Sequence, residues 1–510
     1  MGGGLLQLVA YGAQDAYLSG NPQITFFKGL FKRHTNFAME PFRVNFTGQA
    51  AWGTKQSAVM GRHADLMYST YLEVVLDAGY YNGDATRLGY NLLQYVELEI
   101  GGQVIDRQYG EFLFLWDSLT SDANQGSKLA QMVNGYVGSG SDGPIYLGGE
   151  VNCNNGSGRP SLPNTILYIP FFFWYTRSPG AALPLIALQY HEVRINMLWN
   201  DAKFIAGNFN KLNLVPQPIQ AAIYVDYIYL DTEERRRMAQ QSHEYLIEQT
   251  QYNEDKGISS YNNRIDLTFN HPVKELIWVV QPAWYTDCKL AAANKDAAVY
   301  RGVTDNSVGT ALFNVTSLVG SYTSVTLVYG GSGYTPGPLN LTISGGALGG
   351  LSPTNDLTFS VVVNAAGTIE SVDQSSLAGT PATNNANTRL KPFTYDQAAV
   401  YEQWIQINGQ DRMDKRYGDY FNKVQPYQHH SGALRGPGSY MYSFALRPEE
   451  HQPSGTCNFS RIDTATIVMT ISGDVLMNQD LDNTLNVRVY AINYNILRVM
   501  SGMGGLAYSN

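Results

Sequence analysis

Leu98-Glu99-Ile100-Gly101-Gly102-Gln103 runs on into Asp106-Arg107-Gln108-Tyr109-Gly110-Glu111-Phe112, and the pattern returns about 300 residues later. The second copy is Ile405-Gln406-Ile407-Asn408-Gly409-Gln410 followed by Asp414-Lys415-Arg416-Tyr417-Gly418-Asp419-Tyr420. Ile100 aligns with Ile407 and Tyr109 with Tyr417, with one extra residue in the second copy. In each copy apolar and polar residues alternate with the period of a half-buried strand. Gly101-Gly102 and Asn408-Gly409 tolerate the positive φ angles of a two-residue hairpin turn. Two matching hairpins this far apart predict two copies of one β-rich domain.

Composition agrees with an all-β chain. Charged residues make up 15% of the 510, against about 25% in ordinary soluble chains, while Gly (50), Tyr (35) and Phe (20) are abundant. Such a chain has many turns and large aromatic interfaces. The net charge of −9 argues against coating nucleic acid, which needs a basic footprint. Cys153, Cys288 and Cys457 are widely spaced and odd in number, so no disulfide framework or paired-cysteine metal pattern follows. The first basic residue is Lys28, so a signal-peptide n-region is not expected, and no apolar run reaches the ~18 residues of a membrane span.

Around the hairpins, short strands separated by Gly and Pro predict a sandwich or jelly roll. In the first half these are His63–Leu76, the run Phe171–Tyr175, Leu185–Leu188, His191–Met197 and Val225–Leu230, with one helix near Gly110–Leu119. Asp231-Thr232-Glu233-Glu234 looks like an N-cap with an acidic first turn, and Arg235-Arg236-Arg237 then reads as a solvated or interface helix face. The second half repeats the order: Asp266-Leu267 with Glu275-Leu276-Ile277-Trp278 resembles Asp65-Leu66 with Glu73-Val74-Val75-Leu76. Leu76 and Ile100 are 24 residues apart, but Trp278 and Ile407 are 129 apart, which locates an insertion of about 105 residues. Its bulk, about 303–385, is nearly free of charge, and its β-branched runs predict a small extra β unit rather than a disordered linker. The division expected is an N-terminal arm (1–30), a first β domain (31–230), a connector helix (231–250), a second β domain (251–492) holding the insertion, and a C-terminal tail (493–510). The arm is apolar and free of lysine up to Lys28, with an ordinary first strand as the alternative.

Longer stretches carry a resemblance. Leu6-Gln7-Leu8-Val9-Ala10-Tyr11-Gly12, Gly20-Asn21-Pro22-Gln23-Ile24-Thr25-Phe26-Phe27, Leu183-Pro184-Leu185-Ile186-Ala187-Leu188-Gln189-Tyr190-His191-Glu192-Val193, His243-Glu244-Tyr245-Leu246-Ile247-Glu248-Gln249, Pro453-Ser454-Gly455-Thr456-Cys457-Asn458-Phe459 and Met500-Ser501-Gly502-Met503-Gly504-Gly505-Leu506 are such blocks. They resemble, in the same order, the major capsid proteins of the nucleocytoplasmic large DNA viruses, the group that includes the algal chloroviruses. The resemblance implies two tandem eight-stranded jelly rolls (a double jelly roll) and a homotrimer with a pseudo-sixfold outline in an icosahedral capsid assembled in the host cytoplasm. It also implies contacts with neighbouring capsomers, minor capsid proteins and a penton protein, with the arm facing an inner membrane and no direct contact with nucleic acid.

No catalytic or metal constellation stands out. His429-His430, His191-Glu192 and His451 lack zinc-site spacing, and alternation puts His191, Val193 and Ile195 on one strand face, as core or interface residues. Glu449-Glu450 could serve a glycosidase, but a solvated loop is the expectation. A carbohydrate-binding or carbohydrate-cleaving jelly-roll protein is the rival class, with the aromatics as sugar platforms. Candidate modification sites are the glycosylation sequons headed by Asn314 and Asn340 within the insertion. Sequons at Asn45, Asn155 and Asn458 lie outside it, with Asn458 expected to be buried.

Overall fold

A computed structural model describes residues 3–23, 26, 33–77, 79–80, 88–121, 129–133, 161–162, 164–202, 217–282, 298–304, 311–318, 321–345, 348, 351–381, 400–434, 438–471 and 484–508. Among the described residues, sixteen strands lie along the main paths of four sheets and form two sets. The first comprises β1 (Phe37–Asn45), β2 (Lys55–Val59), β3 (Leu66–Leu76), β4 (Leu93–Ile100), β5 (Gln103–Tyr109), β6 (Thr165–Pro170), β7 (Val193–Trp199) and β8 (Pro218–Leu230). The second comprises β9 (His243–Ile258), β10 (Asn262–Asp266), β11 (Pro272–Pro282), β12 (Val400–Ile407), β13 (Gln410–Asp411), β14 (Ser439–Ser443), β15 (Ala465–Ile471) and β16 (Leu485–Met500).

The first set makes sheets β1-β8-β3-β6 and β2-β7-β4-β5; the second makes β9-β16-β11-β14 and β10-β15-β12-β13. Adding eight to each strand number of the first pair gives the second, and every pairing is antiparallel. Short pairings by Leu183–Pro184, Arg416–Tyr417, Cys457–Asn458 and Met503–Leu506 bring the sheets to five and four strands in the first half and six and five in the second. Both halves are jelly rolls, in a chain that is mostly strand.

The duplicated hairpins turn as their sequences require. Gly101 and Gly102 have φ of 59° and 86°, and Asn408 and Gly409 of 50° and 76°. Strand alternation sets the core: in β6 Thr165, Leu167 and Ile169 point inward while Ile166 and Tyr168 stay exposed. The first hairpin feeds directly into a helix, Gly110–Thr120, whose Phe112, Leu113, Phe114, Leu115, Trp116 and Leu119 are all buried.

Elsewhere the expected elements shift. Phe171–Tyr175 is not a strand: Pro170 ends β6, and a 3-10 turn, Trp174–Thr176, follows. The Thr176 hydroxyl donates to the Phe171 and Phe173 carbonyls at 3.1 and 2.8 Å, holding the chain in a turn. The apolar density there reflects burial from several sides. Leu185–Leu188 likewise forms successive turns, with Ala187 N–H on the Pro184 carbonyl and Leu188 N–H on that of Leu185.

The connector is helical only over Thr232–Gln240, and β9 starts at His243, where β-branched and aromatic residues begin to pair with β16. Asp231 occupies the N-cap without a side-chain cap bond, and Arg235 instead pairs with Asp65 at 2.9 Å. Residues 493–500, expected as tail, continue β16 through the middle of a sheet, and Met503–Leu506 folds back on it. The arm holds two short helices, Gly3–Val9 and Asp15–Ser19, with no buried residue, instead of a first strand.

The insertion has its own core. Two three-stranded meanders, Ala298–Thr304 to Ser321–Tyr329 and Gly337–Ile343 to Ile369–Ala378, enclose Phe313, Val315, Leu341, Ile343, Leu357, Phe359 and Val361. The Gln374 side chain joins the meanders by exchanging hydrogen bonds with the Val325 backbone at 3.0 and 2.5 Å.

Gly110, the first residue of the buried helix, gives the fold a sharp test. A Cβ there would lie 2.2 Å from the Leu93 carbonyl oxygen and 2.4 Å from that of Tyr90. Gly110→Ala is therefore expected to destabilise the protein by about 1–3 kcal/mol, the usual cost of overpacking, measured by chemical denaturation.

Candidate functional site

Charged residues set inside apolar strands are the signal that leads to the site: Glu248 in Leu246-Ile247-Glu248-Gln249, and Lys274-Glu275 before Leu276-Ile277-Trp278. Both fall on the sheet β9-β16-β11-β14. Alternation gives this sheet two buried faces. Leu276, Trp278, Val487, Val489 and Ala491 face the second domain's core. Ile277, Met441, Tyr490 and Ile492 join the core of the first domain.

The first domain meets that second face with β5 and the helix Gly110–Thr120. The Glu111 carboxylate accepts from Arg488 Nε and Nη2 at 2.7 and 2.6 Å and from the Tyr490 hydroxyl at 2.6 Å. Burial alone would raise the carboxyl of Glu111, but Arg488 outweighs it and holds Glu111 below the usual range. Tyr109 packs on Tyr252 (4.5 Å between centroids) and Phe112 on Tyr490 (5.7 Å). The Thr250 N–H donates to Asp106 at 2.8 Å, and the Gln249 amide to the Ile105 carbonyl. Burial pushes Asp106 up to about 7 despite the hydrogen bonds it accepts from Thr250 N–H and the Gln108 amide.

A second ionic group lies alongside. Glu248 Oε1 accepts from Lys274 Nζ at 2.9 Å, and Arg177 of the first domain sits 2.7 Å from Oε2 without hydrogen-bond alignment. Arg177 also covers the Trp116 ring at 4.7 Å. Lys274 is fully buried and donates to the Pro448 carbonyl at 2.6 Å. Burial raises Glu248, but Arg177 and Lys274 more than reverse this and bring it down to about 2. His430 bridges Glu275 (2.8 Å) and Glu449 (3.0 Å) with no exposed side-chain surface. Burial opposes its charge, yet the two carboxylates push it up to about 9.

This arrangement fixes one domain on the other and offers no reaction centre. Glu449 and Glu450 lie in a loop, Glu450 exposed as expected, but Glu449 is half-buried and besides His430 it accepts from the Ser431 N–H at 2.7 Å. His191 is half-buried and its Nδ1 lies 2.9 Å from the Gly504 carbonyl, while Val193 and Ile195 enter the core. His429 contacts the Leu446 carbonyl, and His451 lies 3.3 Å from Glu248. Among the described residues no group of three His, Cys, Asp or Glu could hold a metal ion, and no helix is long and apolar enough to cross a membrane.

Of the sequons, Asn340 is exposed on the edge strand Gly337–Ile343 and accepts from Ser360 Oγ at 2.6 Å. Asn314 is half-buried on a central strand. Asn458 is exposed rather than buried, because it caps the short helix Phe459–Arg461 through the Ser460 N–H. Asn155, Cys153 and Cys288 lie outside the described residues.

Two family profiles meet at the boundary between the domains. "Major capsid protein N-terminus" matches residues 25–231, and "Large eukaryotic DNA virus major capsid protein" matches 234–505. The chain belongs to the major capsid proteins of large eukaryotic DNA viruses. It is 45% identical to the major capsid protein of Phaeocystis pouchetii virus and 36% identical to that of Paramecium bursaria Chlorella virus 1, each over 100% of both chains. The solved PBCV-1 virus capsid, a quasi-atomic model, aligns with a TM-score of 0.60 at 31% identity, covering 95% of this chain and 100% of that one. The capsid protein is thus a structural, non-enzymatic subunit and a component of the virion, and the carbohydrate-active reading is without support.

Two measurements probe the junction of this capsid protein. Lys274→Ala leaves the buried Glu248 short of a partner and is expected to cost about 3–5 kcal/mol, whereas Lys423→Ala, on a surface pair with Asp419, should cost under about 1 kcal/mol; urea denaturation reads both. The pH dependence has two limbs. His430 is raised from 6.5 to about 9, so its contribution is full below pH 6.5 and is lost as pH rises through 9. Glu248 is lowered from 4.5 to about 2, so its contribution is full above pH 4.5 and is lost as pH falls through 2. The denaturation midpoint should decline on the alkaline side, and His430→Gln should flatten that decline.

Proposed function

We propose that the protein builds trimeric capsomers with a pseudo-hexameric outline, which tile the outer shell of an icosahedral virion. The observation that carries this reading is the strand-for-strand repetition of the two jelly rolls. Three chains then present six similar lobes, and six lobes fill a hexagonal lattice position. Low charge and high aromatic content suit extensive contacts between copies, where charges are depleted and aromatics enriched.

The remaining parts fit around that core. The arm, with Leu5, Leu6, Leu8, Tyr17 and Leu18 exposed, faces inward, toward minor capsid proteins or an inner membrane, and the subunit also meets the penton protein. The insertion, folded on its own core, projects outward and shapes the virion surface; a self-folded insert costs little in loop closure. Asn340, and less openly Asn314, are its glycan acceptors. Net negative charge keeps the subunit off nucleic acid, and assembly takes place in the host cytoplasm.

Light scattering and negative-stain microscopy of the purified protein test the reading. Trimers with a hexagonal outline are expected, and removal of residues 2–20 should leave trimers intact while blocking shell formation. A folded protein that stays monomeric at micromolar concentration would overturn it.

A further inference from the structure

The strand Met503–Leu506 lies across the boundary between the domains. A two-residue turn, Ser501-Gly502, with φ of 52° and 81°, returns the chain from β16. Met500 pairs with Met503 and Val499 with Gly504. In such a hairpin the pair next to the turn exchanges hydrogen bonds and the following pair does not. The Gly504 N–H and carbonyl therefore point away from β16, toward the first domain. The segment Leu188–Glu192 of that domain meets them. Its Tyr190 N–H donates to the Gly502 carbonyl at 2.9 Å. A Cβ on Gly504 would lie 2.6 Å from Leu188 Cδ2 and 3.4 Å from Ile100 Cγ2, so the strand rests directly on the first domain's core residues.

His191 holds the strand at its centre. The Gly504 N–H donates to His191 Nδ1 at 3.1 Å, and the Gly504 carbonyl oxygen lies 2.9 Å from the same nitrogen. That nitrogen serves one of the two groups at a time, according to its proton. In the neutral ring with its proton on Nε2, Nδ1 accepts from the N–H. In the charged ring Nδ1 becomes a donor, takes the carbonyl and leaves the N–H facing another hydrogen. Gly504 is buried, and an orphaned buried N–H is rarer than an under-satisfied carbonyl. The hairpin turn Gly101-Gly102 confines the ring from the other side. The Gly101 N–H donates to the Glu192 carbonyl at 2.9 Å, and a Cβ on Gly101 would collide with the imidazole.

The surrounding charges do not favour a second cation. Arg62 donates to the Leu188 and His191 carbonyls at 2.6 and 3.2 Å, which sets a guanidinium beside the ring's own backbone. The strand of His191 brings Glu192, whose carboxylate Arg194 already engages at 2.8 Å. β16 brings Arg498, paired with Glu244 at 2.8 Å. Tyr190 adds a phenol beside Gly502. Among the described residues, the turn Gly101-Gly102-Gln103 and the stretch Ser501–Tyr508 carry no charged side chain.

We infer that the strand Met503–Leu506 is a pH-sensitive strap, held across the domain boundary while His191 is neutral and loosened when His191 takes up a proton. An imidazole changes charge between about pH 5 and 8. The strap is therefore closed near neutral pH and gives way on mild acidification. It belongs to a single chain and does not depend on how copies assemble.

Hydrogen exchange of the full chain at about pH 7.5 and about pH 5.5, either side of the imidazole range, tests the strap once the intrinsic pH dependence of amide exchange is removed. Peptides spanning Met503–Leu506 should lose protection by about tenfold in acid, the effect of one hydrogen bond of ordinary strength, while those of β11 keep theirs. In His191→Gln, which does not titrate, the strap should exchange alike at both pH values. Glu192→Gln, at an exposed site, removes the carboxylate that favours a charged ring and should move the loosening to lower pH. A purely structural contact would show no such move. Protection of the strap that ignores pH in the unmodified protein, or an acid loss that survives in His191→Gln, overturns the inference. Should His191→Gln fail to fold, Glu192→Gln decides, and a loosening that stays at the same pH overturns it.

Discussion

One sheet buried on both faces governs the rest of the molecule. β16 runs through the middle of β9-β16-β11-β14, with Val487, Val489 and Ala491 in one core and Tyr490 and Ile492 in the other. Apolar burial, worth about 1.5–3 kcal/mol for each large side chain, therefore acts across the boundary between domains as it does within them. The two jelly rolls become one body.

The ionic groups along this boundary do a different task. Lys274, Glu248 and His430 are costly to bury, and a well-packed apolar substitute could be as stable. What they add is geometry: Glu111 receives three donors from Arg488 and Tyr490, and Arg177 spans Glu248 and the Trp116 ring. Such contacts are satisfied in one docking arrangement only. For a subunit that must tile a lattice, a fixed angle between its lobes matters more than a further increment of stability.

Much of this was legible in the residues. Gly101-Gly102 and Asn408-Gly409 marked hairpins because few other dipeptides accept those φ angles, and counting residues between matched strands exposed the insertion. Boundaries were less legible. Phe171–Tyr175 and Leu185–Leu188 read as strands because dense apolar residues mark burial, and burial does not distinguish a strand from a packed turn. The continuation of β16 to Met500 reads as a tail in the sequence, since its second buried face depends on the other domain. The ionic cluster draws on positions 177, 248, 274, 430 and 449, too dispersed for any spacing rule; its one local trace is a charge embedded in an apolar strand.

Native-state hydrogen exchange measures the central claim, that the junction makes one body of two domains. Glu111 belongs to the first jelly roll, and its partners Arg488 and Tyr490 to the second. In Glu111→Gln, amides of β16 and of the helix Gly110–Thr120 should lose protection together and to a similar extent. Loss confined to the helix, with β16 as protected as before, would contradict the account.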